Sequence, residues 1–297
     1  MRTFSGGGHR LRLGGRASPS SQSHIFYNAL MTRQGMAMVL SRIGRQLACI
    51  VLSWACAQPA WSTPRDLFFV TQLFPPFITE DAAGKPDGGL VLVLQEACRR
   101  LSWRCTVQVM VWKRALLMIS LGEADGLVLA QDTPERRAVM DLSRPVLTSS
   151  YGLYARNGNP LRYRQPADLS GHKIAVYGPS VSQSSCEKLV QGVPGIALTV
   201  ELDPQTVLRK LSAGRYGNEA VAFSNDDVAR YWIRRDGLSN LHQLAEVKTL
   251  AYLYGFTRSR VQPGMLDEFN RALDEMCRDG SLQKLAAPSG IRPVACR

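Results

Sequence analysis

The stretch GEADGLVLAQDTPERRAVMDLSRP, residues 122–145, says most about the fold. It begins with a turn signal at Glu123–Gly126 and continues into the short apolar run Leu127–Ala130. Such a run, bounded by turn residues, is typical of a buried strand. The stretch therefore predicts a buried strand that ends at Ala130.

A helix start follows this strand directly. Asp132 or Thr133 can cap a helical turn that has Pro134 at its first position. Arg136 then lies one turn into a helix at the carboxyl end of a strand, the edge of an α/β sheet where ligands bind. A planar guanidinium there suits a bidentate contact with a carboxylate. The alternative is that Arg136 is a surface arginine like Arg137.

The first 62 residues differ in composition from the rest, with seven Arg and no Asp, Glu or Lys. Basic residues precede the apolar run Leu47–Ala57, and small residues follow it at positions 60 and 62. This is the pattern of a cleavable signal peptide, and the run is too short to span a membrane. We therefore predict a signal peptide at 36–62, preceded by a disordered or mis-assigned extension at 1–35.

Cleavage would place the mature protein in the periplasm. An organellar transit peptide is an alternative reading of this leader, but the compact apolar run argues against it. Cys56 lies in a sequence that resembles a lipobox only loosely, because Trp54 is too bulky, so we do not expect lipid anchoring.

The basic net charge belongs mostly to this leader. Its removal takes seven of 36 basic residues and none of 24 acidic residues, so the net charge falls from +12 to +5. No basic helix or aromatic-interleaved basic stripe follows residue 62. We therefore expect no nucleic-acid binding.

The remaining sequence alternates strand and helix patterns, which indicates α/β lobes with mostly parallel sheets. Strands are predicted at 67–71, 105–111, 127–130, 151–156, 172–177, 196–200, 219–223 and 248–257. Helices are predicted at 89–101, 112–121, 204–212, 228–235, 264–279 and 281–286, with another ending at 190. Residues 224–227 are predicted to cap the helix at 228–235.

The pattern Gly-x-x-Asp-Gly, strand, Thr-Pro-Glu-Arg and hydrophobic-Ser-x-Pro in 122–145 resembles solute-binding protein family 3 of bacterial ABC importers. The order of elements extends this resemblance over residues 65–290. It implies the two-lobe periplasmic-binding-protein type 2 fold, with a two-strand hinge between lobes. Lobe 1 would comprise 63–154 and 250–297, and lobe 2, inserted, 157–247.

The same resemblance implies site residues. Arg136 falls on the family's carboxylate-binding arginine, and Asp226 on the carboxylate that takes the ligand's α-ammonium. Phe74 falls where an aromatic ring lies against the ligand, and Ser180 in the second-lobe loop that meets the ligand carboxylate. As alternatives, Phe74 would be a buried loop aromatic, and Ser180 and Asp226 would be helix caps.

Two further residues complete the predicted set. Gln131 stands where the family usually has a small hydroxyl residue, and Trp112 opens a helix that would face the cleft, with core packing as its alternative. The acidic residue that meets cationic side chains in the family is absent after Gly89. We therefore do not expect lysine, arginine or ornithine as the ligand.

Five cysteines remain after cleavage: Cys98, Cys105, Cys186, Cys277 and Cys296. An oxidising compartment favours disulfides, and a helix end with the next strand start can approach within range. The resemblance to lysine/arginine/ornithine- and histidine-binding members implies a Cys98–Cys105 bridge. Cys277 and Cys296 could join the C-terminal tail, leaving Cys186 free or exchanging with Cys296. We expect no metal or cofactor, because the two remaining histidines show no ligand spacing.

The predicted function is a non-catalytic, monomeric, periplasmic solute-binding protein. It would capture an amino acid or related small carboxylate between its lobes for the membrane permease of an ABC importer. One alternative is a periplasmic enzyme on this fold, similar to the cyclohexadienyl dehydratases, for which Glu80, Asp81 and Asp132 are the obvious acid–base candidates. The other is an orphan sensor that signals ligand binding to a membrane receptor.

Overall fold

The computed structural model describes residues 65–296. The predicted signal peptide and its extension lie outside these residues. The strands are β1 Asp66–Thr71, β2 Thr79–Glu80, β3 Pro86–Asp87, β4 Arg104–Val109, β5 Gly126–Ala130, β6 Met140–Leu142, β7 Leu147–Arg156, β8 Lys173–Tyr177, β9 Ala197–Glu201, β10 Val221–Asn225, β11 Leu241–Thr257 and β12 Arg292–Pro293. The helices are α1 Gly89–Arg100, α2 Trp112–Leu121, α3 Pro134–Val139, α4 Val181–Leu189, α5 Pro204–Ser212, α6 Asp226–Arg235, α7 Met265–Arg278 and α8 Ser281–Ala286.

The strands form two parallel groups joined by antiparallel strands. β1 pairs in parallel with β4 and β5, and β8 pairs in parallel with β9 and β10. Between the groups, β11 pairs antiparallel with β5 and β7, and β7 pairs antiparallel with β10. The hydrogen-bonded order is β4-β1-β5-β11-β7-β10-β8-β9. Mostly parallel groups with connecting helices agree with the predicted α/β class.

The predicted lobe boundaries fall within or beside the two long strands that connect these groups. Residue 154 lies inside β7, and residues 247–250 lie inside β11. The two strands pair from Leu241 opposite Arg156 to Tyr252 opposite Leu147, so they cross between the groups together. The boundaries themselves stay a prediction.

β11 begins seven residues earlier than the predicted strand, at Leu241 instead of Lys248. Its pairing with β7 shifts register between Gln243 and Ala245, and again between Glu246 and Lys248. A bulge interrupts the alternation of inward and outward side chains. The period-of-two signal was therefore lost in this part of the sequence.

Two disulfides join the residues that the sequence pairs. Cys98 and Cys105 connect the end of α1 to β4, with their Cα atoms 6.1 Å apart. Cys277 and Cys296 connect α7 to the segment after β12, with Cα atoms 5.6 Å apart. Cys186 is a buried free thiol in α4.

Two kinds of feature are absent from residues 65–296. No helix in this range combines the length and the apolar character needed to cross a membrane. The same range contains no group of three or more His, Cys, Asp and Glu side chains that could hold a metal ion.

Candidate functional site

A small cavity lies where the carboxyl ends of β1, β5 and β8 meet. Its volume is about 30 Å³, space for about two water molecules. Five of the six predicted ligand-binding residues line it: Phe74, Trp112, Gln131, Arg136 and Ser180. The other lining residues are Gln72, Leu129, Tyr177, Val181, Ser182 and Tyr252.

Arg136 enters the cavity from α3, whose start has the predicted capping chemistry. Thr133 is the cap, with its hydroxyl oxygen 3.3 Å from the Arg136 backbone nitrogen, and Pro134 occupies the first turn. The guanidinium carbon lies 5.3 Å from the centre of the Trp112 ring, within cation–π distance. This stacking holds the planar group at the cavity wall.

The charge of Arg136 has no acidic partner among residues 65–296, and its side chain makes no hydrogen bond to any of them. The side chain is half-buried. Burial lowers the pKa of the Arg136 guanidinium, and the neighbouring Glu135 charge opposes this shift. An unpaired, partly desolvated guanidinium favours an anion that can replace the lost water. This corner of the cavity can therefore bind a carboxylate.

Aromatic rings form the wall around this charge. Phe74 is almost fully buried, and its ring centre lies 6.3 Å from that of Tyr177 and 6.4 Å from that of Tyr252. Burial raises the pKa of both tyrosine hydroxyls, that of Tyr252 well above the ordinary value. Both phenols are therefore neutral at physiological pH. The wall offers flat apolar faces and hydroxyl hydrogen bonds, but no negative charge.

Two hydrogen-bonded links cross the cavity between elements of the first and second strand groups. The Tyr177 hydroxyl donates to the Gln72 side-chain oxygen at 2.8 Å. The Gln131 side-chain amide and the Ser182 hydroxyl both donate to the Tyr151 hydroxyl, at 2.9 and 3.2 Å. Burial raises the pKa of Tyr151, so its hydroxyl stays protonated and can serve both neighbours. These links connect the two strand groups beside the cavity.

Ser180 serves as the cap of α4. Its hydroxyl oxygen accepts from the backbone nitrogens of Ser182 and Gln183, at 3.1 and 3.3 Å. The hydroxyl itself donates to the Tyr177 carbonyl at 2.8 Å. Ser180 is therefore a helix cap, as its structural alternative predicted, and it also lies in the cavity wall.

Asp226, the sixth predicted residue, is not among the residues that line the cavity, and its role towards a ligand stays a prediction. The residue is 1% exposed, and its carboxylate accepts from the Ser150 hydroxyl at 2.5 Å and the Tyr154 hydroxyl at 2.8 Å. Burial raises its pKa. Both partners come from β7, where Gly152 leaves the space that the carboxylate occupies. Asp226 thus stabilises the packing of α6 on β7.

The position of the helix start explains this difference. Asn225 is the cap of α6, with its side-chain oxygen accepting from the backbone nitrogens of Asp227 and Val228 at 3.0 and 3.1 Å. Asp226 is therefore the first residue inside the helix. Its side chain points towards the strand beneath it.

The acid–base candidates of the enzymatic alternative also lie elsewhere. Asp132 forms a two-point ion pair with Arg137, with both distances 2.6 Å. Asp81 accepts from the backbone nitrogens of its own turn, and Glu80 is exposed. Of the described residues that line the cavity, none is a carboxylate, a histidine or a cysteine.

Three residues of the cavity lining were not predicted from the sequence: Gln72, Tyr177 and Tyr252. Gln72 follows β1 directly and Tyr177 ends β8, so the rule that ligands bind at the carboxyl ends of strands could have found both. Tyr252 lies within β11, where nothing distinguishes it from a core aromatic. Leu129 has an unusual backbone conformation for a strand residue, because its φ of 72° lies in the left-handed region within β5. Strain of this kind often accompanies functional sites.

Comparison with solved structures gives the same architecture. A histidine kinase sensor domain with similarity to periplasmic binding proteins matches at a TM-score of 0.69 and 20% identity, covering 78% of this chain and 99% of that one. An ancestral arginine-binding protein bound to arginine matches at 0.66 and 21%, covering 75% and 97%. An ancestral amino acid-binding protein, a precursor of cyclohexadienyl dehydratase, matches at 0.63 and 18%, covering 75% and 94%.

At these identities the likeness shows the fold, which is the two-lobe type 2 fold of periplasmic binding proteins. No curated protein matches the chain. The family match extends over residues 68–288, most of the sequence and nearly all of the part that the structure describes. The chain belongs to the bacterial extracellular solute-binding proteins, family 3.

Proposed function

We propose that this protein captures a small organic carboxylate in the cavity beside Arg136 and delivers it to the membrane permease of an ABC importer. The observation that carries the proposal is the guanidinium of Arg136, stacked on Trp112 and without an acidic partner among the described residues. A buried or half-buried charge is normally paired, so this one is best explained by an anionic ligand.

The cavity favours a carboxylate without an α-ammonium group. Asp226, the predicted partner of that ammonium, is occupied by Ser150 and Tyr154. A zwitterionic amino acid would therefore bury its positive charge without a carboxylate partner, which is costly. The flat faces of Phe74 and Tyr252 favour a ligand with a planar or apolar body.

Ligand entry would require opening. The cavity of about 30 Å³ is too small for an organic acid while the Tyr177–Gln72 and Gln131–Tyr151–Ser182 links are formed. Binding would therefore couple to separation and closure of the lobes, and the ligand would shift that equilibrium towards a closed, occupied form. A permease that recognises this form would receive only loaded protein.

Binding without turnover is the better reading of the site. An enzyme of the cyclohexadienyl dehydratase kind would need a general acid or base at the ligand. The titratable groups that line the cavity, within residues 65–296, are Arg136 and two tyrosines whose pKa values are raised by burial. We therefore propose that a bound ligand is recovered unchanged. Chromatography after prolonged incubation would detect any product.

The test of the ligand class is a matched panel measured by calorimetry and thermal shift. It contains benzoate, phenylacetate and 3-phenylpropionate, with phenylalanine as the ammonium-bearing analogue of the last and 3-phenylpropanamide as its uncharged analogue. We expect binding by at least one acid, no binding by the amide, and phenylalanine binding at least about ten-fold more weakly than 3-phenylpropionate. Equal binding of acid and amide, or no binding by any acid, would overturn the proposal.

A further inference from the structure

A larger groove lies beside the cavity. Its volume is about 550 Å³, and it shares three lining residues with the cavity: Gln72, Trp112 and Tyr177. The two spaces are therefore neighbours, and two of the shared residues, Tyr177 and Gln72, are joined by a hydrogen bond of 2.8 Å. Movement of these two side chains would join the two spaces.

The groove walls are apolar and exposed. Val111 is 76% exposed and Leu73 47% on the side of the first strand group, and Leu202 is 83% exposed on the other side. Apolar side chains from separate parts of the chain that converge on one exposed groove mark a binding surface. A ligand that filled the groove would contact both sides at once.

The charged side chains that line the groove limit which kinds of ligand it can bind. Lys113 is the one charged residue in its lining, counted over residues 65–296, and no carboxylate lies there. A cationic group would find no partner in this groove. An uncharged apolar chain would gain the most, because it would cover the exposed leucine and valine side chains.

We propose that the natural ligand is an elongated carboxylate. Its carboxylate head binds Arg136, and its uncharged apolar tail passes between Tyr177 and Gln72 into the groove. This inference rests on the proposed function, because it needs the head to bind at Arg136. It adds that tail length, and not the head group alone, determines affinity.

A tail in the groove would explain why the unpaired Arg136 charge lies in so small a cavity. With the Tyr177–Gln72 link closed, the cavity has space for little more than a head group. With the link open, the ligand body would lie in a space nearly twenty times larger. Residues Gln72 and Tyr177 then act as a gate that the tail holds apart.

The experiment uses ω-phenylalkanoates of increasing length: phenylacetate, 3-phenylpropionate, 4-phenylbutyrate, 5-phenylvalerate and 6-phenylhexanoate. Calorimetry on the exported protein should show a dissociation constant that falls about three- to four-fold with each added methylene, the factor expected for a fully buried methylene. Affinity should stop rising when the groove is full. A dissociation constant independent of length would refute the inference.

Groove variants locate the tail. Val111→Asp and Leu202→Asp place charges on exposed positions, so folding should be unaffected, and both should flatten the length series. Phenylacetate, the shortest member of the series, is the internal reference. Leu117→Asp is the matched control, because Leu117 is 55% exposed on α2 and does not line the groove. An unchanged length series in both groove variants would place the tail elsewhere and overturn the inference.

The outcomes also separate this inference from the function on which it rests. If short acids bind in a manner that Arg136→Gln abolishes, but length adds nothing, the proposed function stands and the tail site fails. If no acid in the series binds through Arg136, both fail. If the groove variants change the sedimentation of the protein and not its affinity, the groove is a contact between copies, and the inference also fails.

Discussion

The ends of β5 and β10 offer a direct comparison within one chain. Both strands have five residues, both are completely buried, and both continue into a helix that carries a charged residue in its first turn. At the end of β5, Arg136 reaches a cavity and has no acidic partner among the described residues. At the end of β10, Asp226 is enclosed by hydroxyl groups of β7.

The difference shows what a local sequence pattern can decide. A strand followed by a capped helix brings a charge to the sheet edge in both places. Whether that charge is available to a ligand depends on its neighbours in space. Arg136 meets the face of Trp112, which accepts no classical hydrogen bond, whereas Asp226 meets Ser150 and Tyr154, which donate to both of its carboxylate oxygens. The structure leaves the Arg136 charge open towards the cavity and pairs Asp226 inside the fold, so we propose binding for the first residue and stability for the second.

The sharpest test of this division is Arg136→Ala. Loss of one partner from a desolvated charge pair costs about 2–5 kcal/mol, so binding of 3-phenylpropionate should weaken by about thirty-fold or more. Arg136→Lys should lose much of the same affinity, because an ammonium lacks the planar fork. Calorimetry measures both.

Arg137→Ala is the control for Arg136. Arg137 is exposed and pairs with the exposed Asp132, and such surface pairs contribute little to stability because solvent screens them. Its removal should leave affinity unchanged. Wild-type affinity in Arg136→Ala would show that the charge at the end of β5 does not serve binding either.

Asp226→Ala should give the reverse pattern. It leaves the hydroxyls of Ser150 and Tyr154 without their buried acceptor, and we expect a loss of about 3 kcal/mol in the free energy of unfolding. The affinity for 3-phenylpropionate should stay within two-fold of wild type. Urea unfolding and calorimetry on the same preparation measure both quantities.

Asp267→Ala is the matched control, because Asp267 also lies in the first turn of a helix but is exposed. It should cost less than about 1 kcal/mol, the usual effect of one charge on the helix dipole. A weaker affinity in Asp226→Ala than in this control would mean that Asp226 reaches the ligand after all.

Tyr252→Phe tests a residue that lies between the cavity and the surroundings of Asp226. The ring of Tyr252 lines the cavity, and its hydroxyl accepts from the Asn225 side chain at 3.1 Å, beside Asp226. Removal of this one neutral hydrogen bond should lower the free energy of unfolding by about 1 kcal/mol and change affinity little. A loss of affinity beyond ten-fold would instead assign the hydroxyl to the ligand.

The smallest expected effect is one of pH. Burial raises the pKa of the Asp226 carboxyl in the folded protein above its ordinary value of 3.8. At pH values between the ordinary pKa and the raised one, the folded protein therefore binds more protons than the unfolded chain. Stability contributed by this group therefore falls as pH rises through that window. The stability that Glu96 contributes instead rises with pH, because Arg99 and Arg100 lower the pKa of its carboxyl to about 2.

Subtraction isolates the Asp226 contribution from that of the other carboxylates. As pH rises from 3.8, the Asp226→Asn variant should gain stability relative to wild type, measured as the difference between their free energies of unfolding. Thermal or urea unfolding across this range measures it. A difference that does not vary with pH would mean that the Asp226 carboxyl titrates normally.

The sequence was sufficient where a role follows from neighbours in the chain. Thr133, Pro134 and Arg136 fix a cap, a helix start and a charge within four positions, and the structure has all three in place. The parallel strand groups followed in the same way from alternating strand and helix patterns. The Asp226 contacts could not be predicted, because Ser150 and Tyr154 are more than seventy residues away in the chain. Tyr252 was missed for a similar reason.

Gly152 limits how this protein can be altered. A side chain at this position would collide with the Asp226 carboxylate and crowd Gln243, so alanine is excluded while Asp226 keeps its place. Any redesign that turns Asp226 towards the cavity, to accept an amino acid, would vacate this space. Alanine at 152 would then lose its worst collision, leaving close approaches to the Gln243 amide and the Ala245 carbonyl, and its effect would be far from additive with that of the change that turns Asp226. A laboratory search for amino-acid-binding variants should therefore recover substitutions at 152 together with changes that reorient Asp226, and rarely alone.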